Sequence, residues 1–135
     1  MIRTGAYNLS VDVELPYEDA RQMVITALRE QGFGVLTEID VKATMKQKLD
    51  VEFRKYTILG ACNPPLAHKA LTAETNVGVL LPCNLVVYET GPRSSTVVSI
   101  DPEVQLGKAG RPELTEFARE IRARLMKVLE STQKF

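Results

Sequence analysis

The sequence lacks the features that mark several common protein classes. It has no excess charge, because 17 basic residues balance 17 acidic ones, so no overall cationic field attracts nucleic acid or an anionic membrane. The longest apolar run, Val77 to Leu81, is far shorter than the ~20 residues of a membrane-spanning helix. The N-terminus also lacks a signal-type pattern. We therefore expect a cytoplasmic protein with no membrane partner, and nucleic-acid binding is not favoured.

Motifs for metals and cofactors are also missing. The chain has two cysteines and one histidine, without a Cys-x-x-Cys pair or a His-Glu-x-x-His sequence, so no metal site is expected within one chain. Two chains could still pool Cys62, Cys83 and His68 at a shared interface. No glycine-rich loop has phosphate-binding spacing, so the sequence does not identify a cofactor. Two cysteines do not form a disulfide framework, and we expect free thiols.

The first half of the sequence alternates strand and helix patterns. Tyr7 to Leu15 alternates apolar with polar residues, as a strand covered on one face does. Pro16 begins an amphipathic helix that ends at Gly32. Residues 33–39 form a second strand, and Asp40 is placed to cap a short helix after it.

The second half predicts three more strands and a long closing helix. Residues 55–62 form a buried strand, and residues 83–90 and 95–101 form a hairpin. From Pro112 onward, apolar residues recur at helical spacing. Hairpins and a one-sided first strand favour antiparallel pairing. We therefore predict a single globular α+β domain over residues 1–135, with a largely antiparallel sheet, two long helices on one face and additional short helices.

The dipeptide Cys-Asn occurs twice, at the end of one predicted strand and at the start of another. Asn63 can cap the helix that follows Cys62, and the positive end of that helix favours an anion or a thiolate. The leading hypothesis is a small binding module with a pocket for a small molecule or anion at Cys62 and Asn63. Cys83, Asn84 and Glu89 complete the set of candidate ligand-binding residues.

Two other functions remain open. In the first, a thiol-dependent enzyme or sulfur carrier, Cys62 is the nucleophile, and His68 or the helix dipole activates it. This hypothesis requires a partly exposed thiol with a lowered pKa. In the second, the protein is a structural homodimer, because an apolar strand at an exposed sheet edge must be covered or paired.

Purely structural roles are also available for the same residues. Cysteine is often a small buried filler at a strand end, which would describe Cys62 and Cys83. Asn63 would then be only a helix cap, and Asn84 would satisfy backbone groups beside a proline that has no N–H. Glu89 would be a solvated charge on a strand.

Two segments, residues 56–71 and 77–89, together resemble the family labelled domain of unknown function 302. The matching residues of the first are Gly60, Ala61, Cys62, Asn63, Pro64, Ala67 and Leu71, and those of the second are Gly78, Leu81, Pro82, Cys83, Asn84, Val87 and Glu89. The resemblance implies a compact α+β fold, similar to the strand–helix–four-strand–helix arrangement of TATA-binding-protein-like domains, and often a homodimer. It implies no activity, because none is established for the family.

Overall fold

A computed structural model of the protein describes residues 1–134, in which one antiparallel sheet carries helices on one face. The strands are β1 (Arg3–Thr4), β2 (Asn8–Val13), β3 (Gly34–Asp40), β4 (Tyr56–Cys62), β5 (Cys83–Gly91) and β6 (Ser94–Ile100). The helices are α1 (Tyr17–Glu30), α2 (Val41–Leu49), α3 (Pro64–Ala73), α4 (Pro102–Gly107) and α5 (Pro112–Thr132), with a 3-10 helix at Thr75–Leu80. The six strands lie in the order β1-β2-β6-β5-β4-β3, and all neighbours are antiparallel. The predicted α+β class is confirmed.

The two long helices, α1 and α5, pack against each other and against the same face of the sheet. Leu9, Val11 and Val13 of β2 are buried beneath them, as the alternating pattern predicts. The helices contribute the large buried side chains of Val24, Leu28, Leu114, Ile121, Leu125 and Leu129. The core therefore lies between the helices and one face of the sheet. None of the helices in residues 1–134 combines the length and apolarity needed to cross a bilayer.

Two predicted helix ends are confirmed in detail. Helix α1 terminates before Gly32, whose φ of +85° lies in the left-handed region that glycine adopts without strain. The N–H of Phe33 then donates to the carbonyl of Leu28 at 2.9 Å, which closes the helix in a Schellman arrangement. At the start of α2, the carboxylate of Asp40 accepts from the N–H of Ala43 at 3.0 Å.

Three short elements were not predicted: β1, α4 and the 3-10 helix. β1 comprises only Arg3–Thr4, too few residues for a periodic signal. α4 starts at Pro102 after a cap by Asp101 and covers six residues. β2 is also shorter than predicted, because Tyr7 and Leu15 lie outside the strand. Tyr7 is 63% exposed.

Gly60 of β4 lies beneath two side chains, Thr37 of β3 and Pro82, which immediately precedes β5. It is paired with Thr37 of β3 and with Asn84 of β5. A Cβ atom at this position would lie 2.8 Å from Cγ of Pro82 and would also collide with the hydroxyl of Thr37. Because only glycine leaves room for both neighbours, Gly60 allows the segment before β5 to pack closely on β4.

We expect Gly60→Ala to lower the free energy of unfolding by about 1–3 kcal/mol, the usual range for overpacking. Urea denaturation monitored by circular dichroism measures the loss. Gly34→Ala in β3 is the matched control, because no atom lies within 4 Å of the added Cβ and its effect should stay within about 0.5 kcal/mol. Equal losses in the two variants would contradict the packing role of Gly60.

Candidate functional site

The two Cys-Asn segments are neighbours in the sheet. Ala61 of β4 is paired with Cys83 of β5, and Gly60 with Asn84. Cys83 is buried on the helix-covered face, whereas Asn84 is exposed on the opposite face. The repeated dipeptide therefore marks adjacent ends of two antiparallel strands, and its side chains are divided between the two faces.

Asn63 is the helix cap that the sequence predicts. Its side-chain oxygen accepts a hydrogen bond from the N–H of Leu66 at 3.2 Å, and the residue is only 5% exposed. Caps of this kind satisfy one of the N–H groups that a helix leaves unpaired. The side-chain oxygen of Asn63 is thus already hydrogen-bonded to the backbone of α3.

The cavity beside Cys62 and Asn63 is too small for the expected ligand. Its volume is about 20 Å³, enough for roughly one water molecule, whereas small-molecule pockets measure about 300–1,000 Å³. The lining includes Cys83 from β5 and the apolar side chains of Phe33, Phe117 and Ile121. The prediction of a small-molecule pocket at the start of α3 therefore needs correction: packing from the helices fills that place.

Neither thiol has the lowered pKa of an activated cysteine. Burial raises the pKa of the half-buried Cys62, and burial together with the neighbouring Cys62 raises the pKa of Cys83 to about 11. His68 is exposed on α3, and no hydrogen bond within residues 1–134 joins it to Cys62. The structure thus provides neither a lowered thiol pKa nor a cysteine–histidine pair.

Glu89 lies apart from the cysteines. It follows Cys83 by six residues on β5, which corresponds to about 20 Å along a strand. Its N–H donates to the carbonyl of Lys55 at 3.0 Å. Glu89 therefore does not share a site with Cys62, Asn63 or Cys83. Within residues 1–134, no three His, Cys, Asp or Glu side chains are grouped as metal ligands.

A much larger concavity, about 420 Å³, lies on the face of the sheet opposite α1 and α5. We call it the tyrosine groove and the face the second face. The groove is lined by the aromatic residues Tyr7, Tyr56 and Tyr88, the aliphatic residues Val86, Val98 and Ile100, and the polar residues Asn8, Ser10, Asn84 and Ser99. Of the predicted site residues, Asn84 alone belongs to this lining.

The aromatic wall of the groove is a packed cluster. Tyr56 and Tyr88 are cross-strand partners, stacked with 5.5 Å between ring centroids and 9° between planes. Phe53 meets Tyr56 edge-on at 6.1 Å, and the guanidinium of Arg54 lies 5.5 Å from the ring centre of Tyr88. Burial, followed by the nearby phenols of Tyr88 and Tyr7, raises the pKa of Tyr56. The hydroxyl of Tyr56 is therefore protonated at neutral pH and can donate.

The second face carries almost no charge, although 25% of the chain is charged. Its residues from β2 to β6 include Asn8, Ser10, Asp12, Thr37, Ile39, Tyr56, Ile58, Gly60, Cys62, Asn84, Val86, Tyr88, Thr96, Val98 and Ile100. Asp12 is the charged member, and Arg3 of β1 binds it through two hydrogen bonds of 2.8 and 3.0 Å. The solvent face of an antiparallel sheet is usually polar. The lack of charged residues at every second position of these strands was therefore a feature of the sequence that could have indicated the groove.

Asn63→Ala should lower the free energy of unfolding by about 0.5–2 kcal/mol, because it removes the side-chain cap of α3. Thermal and urea denaturation measure the change. Asn76→Ala is the control, since Asn76 is exposed and its side chain caps no helix. A loss for Asn63→Ala no greater than that of the control would contradict the capping role.

Alkylation of Cys62 should require a higher pH than alkylation of an ordinary cysteine, because burial raises the pKa of this thiol. Iodoacetamide labelling of a Cys83→Ala variant, followed by mass spectrometry across a pH series, isolates Cys62. The same variant unfolded in urea is the reference, with an expected midpoint of about 8.5. A midpoint in the folded protein below that of the unfolded chain would revive the thiol-enzyme hypothesis.

Comparison with known proteins agrees with the resemblance seen in the sequence. No curated protein matches the chain. A family model described as "Domain of unknown function DUF302" matches residues 9–132. The crystal structure of an uncharacterized conserved DUF302 protein from Bacillus stearothermophilus is similar, with a TM-score of 0.86 and 29% sequence identity over 95% of this chain and 99% of that chain. The chain therefore belongs to the DUF302 family.

Proposed function

We propose that this protein is a small cytoplasmic binding module whose ligand occupies the tyrosine groove. The observation that carries the proposal is a groove of about 420 Å³ with an aliphatic floor, aromatic walls and a few polar groups. Its volume falls in the range of small-molecule sites, and its composition matches theirs. The two free cysteines support the cytoplasmic location, since thiols persist in a reducing compartment.

The walls favour a small planar ligand. Tyr7 is 63% exposed and lines the groove together with Tyr56 and Val98, so a ring placed over Val98 would contact aromatic side chains as well as the aliphatic floor. Aromatic rings stabilise one another in offset or edge-to-face arrangements beyond the area that they bury. A planar organic molecule would therefore cover apolar surface that water now contacts.

The alternative of a thiol-dependent enzyme or sulfur carrier has less support. A nucleophilic cysteine needs a lowered pKa or an adjacent base. Burial instead raises the pKa of Cys62, and His68 lies exposed on α3. Binding in the groove requires neither residue.

A thermal-shift screen of planar metabolites should yield a compound that raises the melting temperature, because a ligand of the native state stabilises it by mass action. We expect Tyr88→Leu to weaken binding of that compound at least tenfold, as measured by calorimetry. Val79→Ala, at an 87% exposed position outside the groove, is the control. If the compound still binds to Tyr88→Leu but not to Cys62→Ser, the binding site is at the start of α3 and the groove proposal is wrong.

We also propose that the protein is a homodimer and that two copies associate through residues 34–54. Of the ten exposed large apolar side chains in residues 1–134, five belong to this segment: Leu36, Ile39, Leu49, Val51 and Phe53. Helix α2 within it contributes no buried residue, and a helix of nine residues is marginal without packing. A covering partner would explain both features.

A second copy of the chain fits this segment by charge and size. Lys46 and Asp50 form an ion pair of 2.9 Å, and Lys42 and Glu52 one of 3.6 Å, so both signs of charge lie side by side. These four side chains are neutralised within one chain, so a second copy can cover them without burying an unpaired charge. The length of segment 34–54 is close to the roughly 20–30 residues per side of a standard interface.

Light scattering after size-exclusion chromatography should give twice the chain mass at tens of micromolar protein. Leu36→Glu should convert the dimer to a monomer, because it places a charge in the apolar interface. Val79→Glu adds the same charge at another exposed apolar position and should remain dimeric. A monomeric wild-type protein, or dissociation in both variants alike, would contradict the proposed interface.

A further inference from the structure

We infer that the tyrosine groove selects an uncharged planar ligand that offers an amide-like hydrogen-bonding edge. This inference rests on the proposed function, and it adds the chemical class of the ligand. Two observations carry it: no charged side chain lines the groove, and two carboxamides at its rim are free.

The charged side chains nearest the groove do not form part of its lining. The carboxylate of Asp12 accepts two hydrogen bonds from Arg3 and a third, of 2.8 Å, from the hydroxyl of Thr96. Arg54 lies over the ring of Tyr88 and does not line the groove. A charged ligand would have to leave water without a counterion in the lining, and that desolvation is costly.

The lining itself consists of neutral donors and acceptors. It contains three phenols, two carboxamides and the hydroxyl of Ser10, with no lysine, arginine, aspartate or glutamate. Neutral polar groups of this kind orient a ligand by hydrogen bonds without requiring a charge on it. The groove therefore favours a neutral molecule over an ion of the same shape.

Asn8 and Asn84 are placed to hold the two ends of such a molecule. Asn8 is paired with Ile100 across β2 and β6, and Asn84 lies beside Ile100 on β5, next to the pair of Leu85 with Ser99. The two asparagines thus flank Ile100 from opposite sides, with about 10 Å between their Cα atoms, two interstrand spacings. A bicyclic ring system lying over Ile100 and Val98 would reach both.

The two carboxamides are available for binding. Within residues 1–134, no hydrogen bond engages the side chain of either Asn8 or Asn84, although Asn8 is half-buried. A carboxamide has both donors and an acceptor oxygen, and its complement is another group with a donor beside an acceptor. An amide, a lactam or a heterocycle with that edge provides it.

Three isosteric probes separate charge from shape: 2-naphthamide, 2-naphthoate and 2-naphthamidine. They share one bicyclic ring system and differ in being neutral, anionic and cationic at pH 7. We expect the amide to bind at least tenfold more tightly than either ion in NMR titrations of the wild-type protein. Equal affinity of all three, tighter binding of an ion, or no binding of the amide would overturn the inference.

Substitution of Asn84 tests the role of the rim. Asn84→Asp should weaken binding of the amide and strengthen binding of the amidine several-fold, because it introduces an unpaired negative charge beside the ring. Gln22→Glu, on the exposed side of α1, adds the same charge away from the groove and should change nothing. Unaltered preference in Asn84→Asp would contradict the contact with this carboxamide.

Tyr88→Leu distinguishes a failure of this inference from a failure of the proposed function. If the three probes bind equally and all are lost in Tyr88→Leu, the groove is the binding site and only the selection of a neutral ligand is wrong. If 2-naphthamide binds unchanged in Tyr88→Leu, both the groove and the inference are wrong. Selective binding of 2-naphthamide that Tyr88→Leu abolishes supports both.

Discussion

The close packing of β4 against the start of β5 is the constraint on which the rest of the structure depends. Gly60 leaves the space that Pro82 and Thr37 occupy, so the two strands can approach at the point where both change into other elements. From that junction, Asn63 starts α3 and Cys83 enters the core. The residues of the two Cys-Asn segments thus have structural roles at this junction. Asn63 satisfies an N–H group at the start of α3, and Cys83 fills space in the core.

Local patterns predicted most of the fold, because their causes are local. The alternation in β2, the cap at Asp40 and the glycine that ends α1 each depend on a few consecutive residues. The tyrosine groove depends on register and strand order, which place Tyr56 opposite Tyr88 and insert β6 between β2 and β5. No short stretch of sequence encodes those relations. The pocket expected at Cys62 was wrong because α5 and the cap of α3 fill the space, which is a tertiary effect.

The two faces of the sheet have different physical roles. One face is sealed by α1 and α5, and its residues stabilise the fold by removing apolar area from water. The second face combines aliphatic and aromatic residues with neutral polar groups and one internally paired carboxylate. A surface of that composition loses little on desolvation, since few charged groups must give up water. This difference is why we place the proposed ligand on the second face, where covering the surface would remove further apolar area from water.

The position of β2 in the sheet affects how the chain can fold during synthesis. Although β2 precedes α1 in the chain, its longer partner is β6, and Leu9 is paired with Ser99. β2 and α1 are therefore synthesised well before β6, the strand that completes the pairing of β2. Pairing at such separation also makes loop closure slow. We therefore expect folding of the sheet to depend on the arrival of the hairpin formed by β5 and β6.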